Sequence, residues 1–283
     1  MARGLSRRAV LAALPLTLGL PGAARAAAPG LSLSGKFVQG GYAVGRTAPR
    51  AVIDLDGVVQ TTASADGWFV IGFDRDAPPT SVLTVTTPDG SATDERTIVQ
   101  GEFDIQRIDG LPPEQVTPTD PALLERLTAE NTRKLAGFAS QADIEGFREG
   151  FILPVAGARR SARFGGQRIL NGEPKRPHFG VDLAVPVGTR VRAPGSAIVA
   201  FAETGLHFEG GLLLLDHGQG LVTAYLHLSK ILVSPGTYVR QGDAVAETGK
   251  EGRATGPHLC WRMKWRGRNM DPSLLVGSGP FRI

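Results

Sequence analysis

The chain has 283 residues, 42% hydrophobic and 20% charged, an ordinary globular balance with room for two domains. Thirty-seven glycines and 20 prolines against three tyrosines and three tryptophans favour short strands and turns over long helices. The single cysteine, Cys260, excludes an internal disulfide, so packed cores must hold the fold.

The first 26 residues read as a targeting segment. Arg3, Arg7 and Arg8 form a basic start, Ala9 to Leu20 is an apolar run too short to span a bilayer, and Ala24-Arg25-Ala26 is a small-x-small cleavage site. A buried N-terminal helix would be broken by Pro15, Gly19, Pro21 and Gly22. Ser6-Arg7-Arg8-Ala9-Val10-Leu11 also resembles the twin-arginine export signal. The expectation is an exported protein of the periplasm or cell envelope with no transmembrane anchor. Residues 1–26 carry four arginines and no acid, so the formal charge of +4 falls to zero once they are removed. Residues 27–150 hold 10 basic and 18 acidic residues, net −8, and residues 151–283 hold 17 and 9, net +8. That contrast predicts a boundary near 150 and a C-terminal half drawn to an anionic polymer. Nucleic acid is such a polymer, but export makes cell wall the better candidate.

Residues 27–109 are predicted to form an immunoglobulin-like β domain. Ala51–Leu55, Gly67–Phe73 and Ser81–Thr86 are strand-like, with turn signals at Asp56-Gly57, Asp66-Gly67 and Asp89-Gly90. Residues 110–150 form a Pro-rich linker and a helical spacer. Asp120 is placed to cap a helix whose first residue is Pro121, and Leu123, Leu124, Leu127, Leu135, Phe138 and Ile144 give it an apolar side to about Gly150. From 151 to 283 the short-strand pattern returns. Pro186–Arg192 is echoed by Ser234–Arg240, each a turn feeding a strand, which predicts an antiparallel β core of barrel-sandwich appearance. Carrier domains share such echoes, but the lysine hairpin tip they need is missing.

Three of the five histidines, His178, His227 and His258, sit in settings that converge. His178 lies four residues before Asp182, and Val181, Leu183 and Val185 alternate as a buried face. An imidazole and a carboxylate meeting at a point suit Zn²⁺, although alone the pair is more often a solvated histidine and a strand-edge acid. In His258–Trp265, Leu259, Trp261, Met263 and Trp265 alternate on one face and His258, Cys260, Arg262 and Lys264 on the other, with His258 and Cys260 roughly 6.5 Å apart along the strand. In Leu221–Ser229 the same rule sends Val222, Ala224, Leu226 and Leu228 to the core and Thr223, Tyr225 and His227 outward together, as a general acid or base requires. His217 falls at a hairpin turn and reads as structural. His207 has no partner in view and receives no role.

Together these segments resemble the lysostaphin and LytM-type zinc peptidases, which are peptidoglycan endopeptidases. The resemblance covers about residues 151–273 and runs through Phe164-Gly165-Gly166-Gln167-Arg168, His178-x-x-x-Asp182, Gly188-Thr189-x-Val191-x-Ala193-Pro194, Tyr225-x-His227-Leu228-Ser229, Gly242-Asp243, Thr255–Leu259 and Asn269–Pro272. The β domain with Ile108–Pro112 is similar to the N-terminal module of some exported members. The resemblance implies one zinc ion per chain on His178 and Asp182, with His227 and His258 beside the catalytic water. Its last motif is H-x-H, whose second histidine is the third ligand; here that position is Cys260, and the strand register aims it at the same face as His258. Tyr225, Arg262 and Lys264 are candidates to steer an anionic stem peptide. Peptidoglycan is the implied substrate, with cell-division or wall-remodelling proteins as partners. A non-catalytic relative that binds cell wall or activates another hydrolase is the alternative.

Overall fold

The computed structural model describes residues 30–277 and residue 281; the expected signal at 1–26 lies outside them. The acidic half opens with seven strands: β1 (Ser32–Gly35), β2 (Tyr42–Arg46), β3 (Val52–Leu55), β4 (Val58–Thr62), β5 (Trp68–Gly72), β6 (Thr80–Thr87) and β7 (Gly90–Thr97). They pair antiparallel in two sheets, β1-β2-β5 and β4-β3-β6-β7. Asp56 and Gly57, at φ 59° and 79°, make the two-residue hairpin between β3 and β4 with the left-handed backbone such a turn demands.

The core of these sheets does not stop at the module. Val44, Ile53, Phe69, Ile71, Leu83 and Val85 share one buried cluster with Phe147 and with Leu221, Met263, Trp265 and Met270 of the basic half. Gly72 sits on the seam, where a Cβ would lie 2.0 Å from Met270 Sδ. The strand β8 (Ile105–Ile108) pairs in parallel with β10 (Gln167–Leu170) of the basic half and with neither sheet of the module. A strand from within the stretch 27–109, expected as one β domain, is thus hydrogen-bonded to a strand beyond residue 150.

Two helices follow, α1 (Pro113–Val116) and α2 (Pro121–Phe138). Asp120 accepts from the Ala122 N–H at 3.2 Å and Pro121 opens α2, as the sequence predicts. α2 ends at Phe138, and the helical region expected to about Gly150 resumes only as a 3-10 turn at Gly146–Glu149. Ser140 Oγ and the Ala142 N–H both donate to Asp216 Oδ2, at 2.6 and 2.7 Å, and pull the chain down onto the sheet. The spacer helix packs on that sheet, through β14.

The remaining strands are β9 (Arg159–Ala162), β10, β11 (Glu173–Pro174), β12 (Val181–Ala184), β13 (Arg190–Arg192), β14 (Ala197–Leu206), β15 (Gly210–Asp216), β16 (Leu221–Ile231), β17 (Tyr238–Val239), β18 (Ala244–Thr248), β19 (His258–Trp265) and β20 (Arg268–Met270). The main sheet runs β17-β14-β15-β16-β19-β12-β9, all antiparallel, with β18 on β16 and β13, and β20 on β19. The echoed motifs fold alike. Thr189 N–H donates to Pro186 O at 3.3 Å and Thr237 N–H to Ser234 O at 3.2 Å, with Gly188 and Gly236 both at φ 84°. The sheet is covered on both faces: Leu213, Leu215, Tyr225, Leu259 and Trp261 form one core, and Leu212, Leu214, Val222, Ala224, Leu226 and Cys260 form another.

His217, at the turn between β15 and β16, is fully buried. Its Nδ1 lies 3.0 Å from the Ser196 carbonyl and its Nε2 2.8 Å from Thr223 Oγ1. A carbonyl only accepts, so Nδ1 carries the proton and Nε2 accepts from Thr223. Burial pushes the imidazole down to about 4. The folded state therefore resists protonation that the unfolded chain accepts near 6.5. Stability is full above that value and falls with acid between about 6.5 and 4, by on the order of 3 kcal/mol from this group. The expected result is a thermal midpoint that declines across this window and flattens in His217→Gln; an equal decline in the variant would refute the assignment.

Candidate metal centre

β12 and β19 are antiparallel neighbours with Asp182 directly opposite Cys260. Opposite residues of a pleated pair share a face, so carboxylate and thiol stand side by side, flanked at two-residue steps by His258 and Arg262. His178 enters from the loop before β12. Its main chain is clamped to the preceding turn, His178 N–H to Gly166 O and Gly165 N–H to His178 O, each 2.7 Å. Its imidazole is wholly buried, with Nε2 3.1 Å from Asp182 Oδ1 and 3.4 Å from Cys260 Sγ. A ligand atom from each of His178, Asp182 and Cys260 lies within 4.8 Å of the others.

Asp182 Oδ1 is sealed from solvent and has no aligned hydrogen-bond donor, its near neighbour being His178 Nε2 at 3.1 Å. Burial pushes its carboxyl up, but the adjacent His178, then His258 and Arg168, outweigh this and hold it well below the usual carboxylate range. Arg168 Nη2 reaches only 4.0 Å from Asp182 Oδ2. A buried, ionised oxygen without an aligned donor is costly, and a cation shared with the nitrogen and sulfur removes that cost. One N, one O and one S donor suit a divalent ion of borderline softness.

His227 reaches this site by a route that strict alternation does not foresee. Gly211 faces Leu228 and Leu213 faces Tyr225, so β16 takes three steps against two on β15, which is a β-bulge. His227 sits in the bulge at φ 64°, left-handed backbone that non-glycine residues seldom adopt. The bulge resets the faces: Leu226 lies with Cys260, and Leu228 joins Tyr225 in the opposite core. The His227 ring comes to 4.7 Å from that of His258, tilted by 49°. Each is fixed through Nδ1, His227 to Glu251 O at 2.7 Å and His258 to Gly256 O at 2.8 Å. Both Nδ1 atoms therefore donate, leaving each Nε2 as an acceptor, and His258 Nε2 lies 3.8 Å from Asp182 Oδ1. Burial lowers both, His227 to about 4, so both are neutral at pH 7.

The residues expected to steer substrate are placed otherwise. Tyr225 does not face outward with His227; it is fully buried, its hydroxyl 2.8 Å from Thr223 Oγ1, with no surface from which to meet a ligand. Lys264 holds its ammonium 4.7 Å from the Phe138 ring of α2. Arg262 turns to Cys260, Nε to Sγ 3.3 Å. His207 does have partners: Nε2 is 3.2 Å from Glu114 O and its N–H donates to the Glu130 carboxylate at 3.1 Å, which ties its loop to α1 and α2. Arg253 carried no motif signal. It donates to Gln115 O at 2.8 Å and packs on Phe208, and burial, then Arg168 and Arg262, push it down to about 10.

Residues 176–272 match the model of peptidase family M23. The peptidoglycan DD-endopeptidase ShyA of Vibrio cholerae serotype O1 is 41% identical over 96 residues, 34% of this chain and 22% of its own length. The DD-carboxypeptidase/endopeptidase Mpg of Neisseria meningitidis serogroup B is 33% identical over 121 residues, 43% of this chain and 28% of its own. The aligned part thus spans between 22% and 28% of the length of these curated relatives. A crystal structure from Pseudomonas aeruginosa assigned to peptidase M23 superposes with a TM-score of 0.66 at 26% identity. It covers 86% of this chain and 96% of its own, so the likeness extends beyond the C-terminal half. Among the described residues, no helix is long and apolar enough to cross a membrane.

Proposed function

We propose that this chain, whose residues 176–272 match the model of peptidase family M23, is an exported zinc-dependent endopeptidase that hydrolyses peptide cross-links or stems of peptidoglycan. The observation that carries the reading is the group itself: His178, Asp182 and Cys260 ligand atoms within 4.8 Å of one another around a buried oxygen that lacks an aligned donor. Relatives named peptidoglycan DD-endopeptidase support the substrate. Zinc held by these three residues supplies a Lewis acid for the scissile carbonyl and for water.

The chain's own residues do the rest. His178 and Asp182 present their donors from a clamped loop and a strand, so little reorganisation is needed. His227 and His258 are neutral, with Nδ1–H engaged by carbonyls, and each offers Nε2 to take a proton from the attacking water and return it to the leaving amine. The ring that is protonated also stabilises the oxyanion. The N-terminal sheets, β1-β2-β5 and β4-β3-β6-β7, support an immunoglobulin-like module with its fourth strand moved to the second sheet. Residues 1–26 are the export signal.

The test is zinc content of the purified mature protein under reducing conditions, with digestion of purified cell wall. One zinc per chain and release of cross-linked peptide are expected. Cys260→Ser should lose both, and Cys260→His should keep both. If the wild type binds no zinc while Cys260→His does, a non-catalytic cell-wall-binding relative is the correct reading.

A further inference from the structure

Arg262 shares with Cys260 the face of β19 that carries the candidate ligands. Its Nε lies 3.3 Å from Cys260 Sγ. Among the described residues no carboxylate stands within ion-pair distance of this half-buried guanidinium, and the sulfur is its hydrogen-bond partner. A neutral thiol compensates a guanidinium poorly; a metal-bound thiolate does so well. The residue that leads into β12 leaves room for the contact. A Cβ on Gly180 would lie 2.7 Å from Arg262 Cγ, 2.9 Å from Trp261 O and 3.2 Å from Cys260 Sγ. The glycine therefore opens the space through which the arginine stem reaches the sulfur, and backbone on one side makes that space unyielding.

We infer that Arg262 is the outer partner of the metal ligand Cys260: its Nε–H positions the metal-bound sulfur and withdraws part of its charge. A thiolate donates more charge to a metal than an imidazole does, which weakens the metal as an electrophile. A charge-assisted N–H···S bond offsets that loss, so Cys260 and Arg262 act as one unit. Arg262 is a positioning residue, not one that touches substrate. The inference rests on the metallopeptidase reading above, and it assigns to Arg262 a task that the steering of anionic stems would not require.

The experiment is a double-mutant cycle on the full mature chain, read by Zn²⁺ affinity against a competing chelator and by the sulfur-to-metal charge-transfer band of the Co²⁺-loaded protein. Arg262→Met should weaken Zn²⁺ binding by roughly 10–100-fold and move the band to longer wavelength. Arg262→Lys, which keeps the charge, should recover part of both; it also serves if the methionine variant does not fold. In a Cys260→His background, Arg262→Met should change affinity by no more than about 2-fold. Equal losses in the two backgrounds, or an unmoved cobalt band in both Arg262 variants, would overturn the pairing. A wild type that binds no zinc overturns the metal reading itself, which is a separate outcome.

Discussion

On the zinc endopeptidase proposal, replacing His178 by alanine is expected to abolish both metal binding and digestion of cell wall. The imidazole is wholly buried and its Nε2 is placed between the Asp182 carboxylate and the Cys260 sulfur, so no neighbour can substitute for it. Losing an outer partner of a zinc ligand already costs about 10–100-fold in affinity; loss of a direct ligand should exceed the upper figure. Truncation also leaves a cavity, worth on the order of 2–4 kcal/mol by analogy with other buried side chains. Metal content after dialysis and release of peptide from purified wall give the readout, with a thermal melt of the metal-free protein to separate unfolding from ligand loss. Stoichiometric zinc in a folded His178→Ala protein would remove His178 from the ligand set.

His227→Ala should behave oppositely with respect to the metal: zinc is retained and turnover falls by about 10²–10⁴-fold, the usual worth of a positioned proton-transfer group. The residue sits at φ 64° in the β16 bulge, where alanine is strained but asparagine is tolerated. His227→Asn is therefore the cleaner variant, since it removes the imidazole and keeps the backbone. Both should show unchanged zinc stoichiometry with a collapsed rate. Wall digestion at the wild-type rate by either would mean that His258 alone handles the proton.

Much of this site could be read from a period of two. Asp182, His258 and Cys260 lie where alternation along β12 and β19 puts them, because those strands are regular and paired residue by residue. Alternation failed on β16 because one residue in a left-handed conformation reverses every face beyond it, and neither Leu226-His227-Leu228 nor its neighbours contain the glycine that would have announced a bulge. The two covered faces hid it further, since β16 is buried from Leu221 to Leu228 and an inward error costs no polarity signal. Arg262 read as a candidate to steer substrate; that its partner is a sulfur depends on Gly180, more than 80 positions away in the chain. In the first half, β7 escaped notice because Gly90–Thr97 is an edge strand with no fully buried residue, and edges are kept polar to discourage pairing with other chains.

The seam at Gly72, Trp265 and Met270, together with β8, has a bearing on inheritance. A gene fusion that borrowed the basic half alone would carry away an apolar surface shaped for β5 and a strand, β10, stripped of its parallel neighbour. Such a surface invites aggregation rather than a new protein. A breakpoint between the halves is therefore expected to give a product that exposes this seam. The two halves are expected to drift as a matched set, with a change of bulk at Met270 tolerated where position 72 remains a glycine.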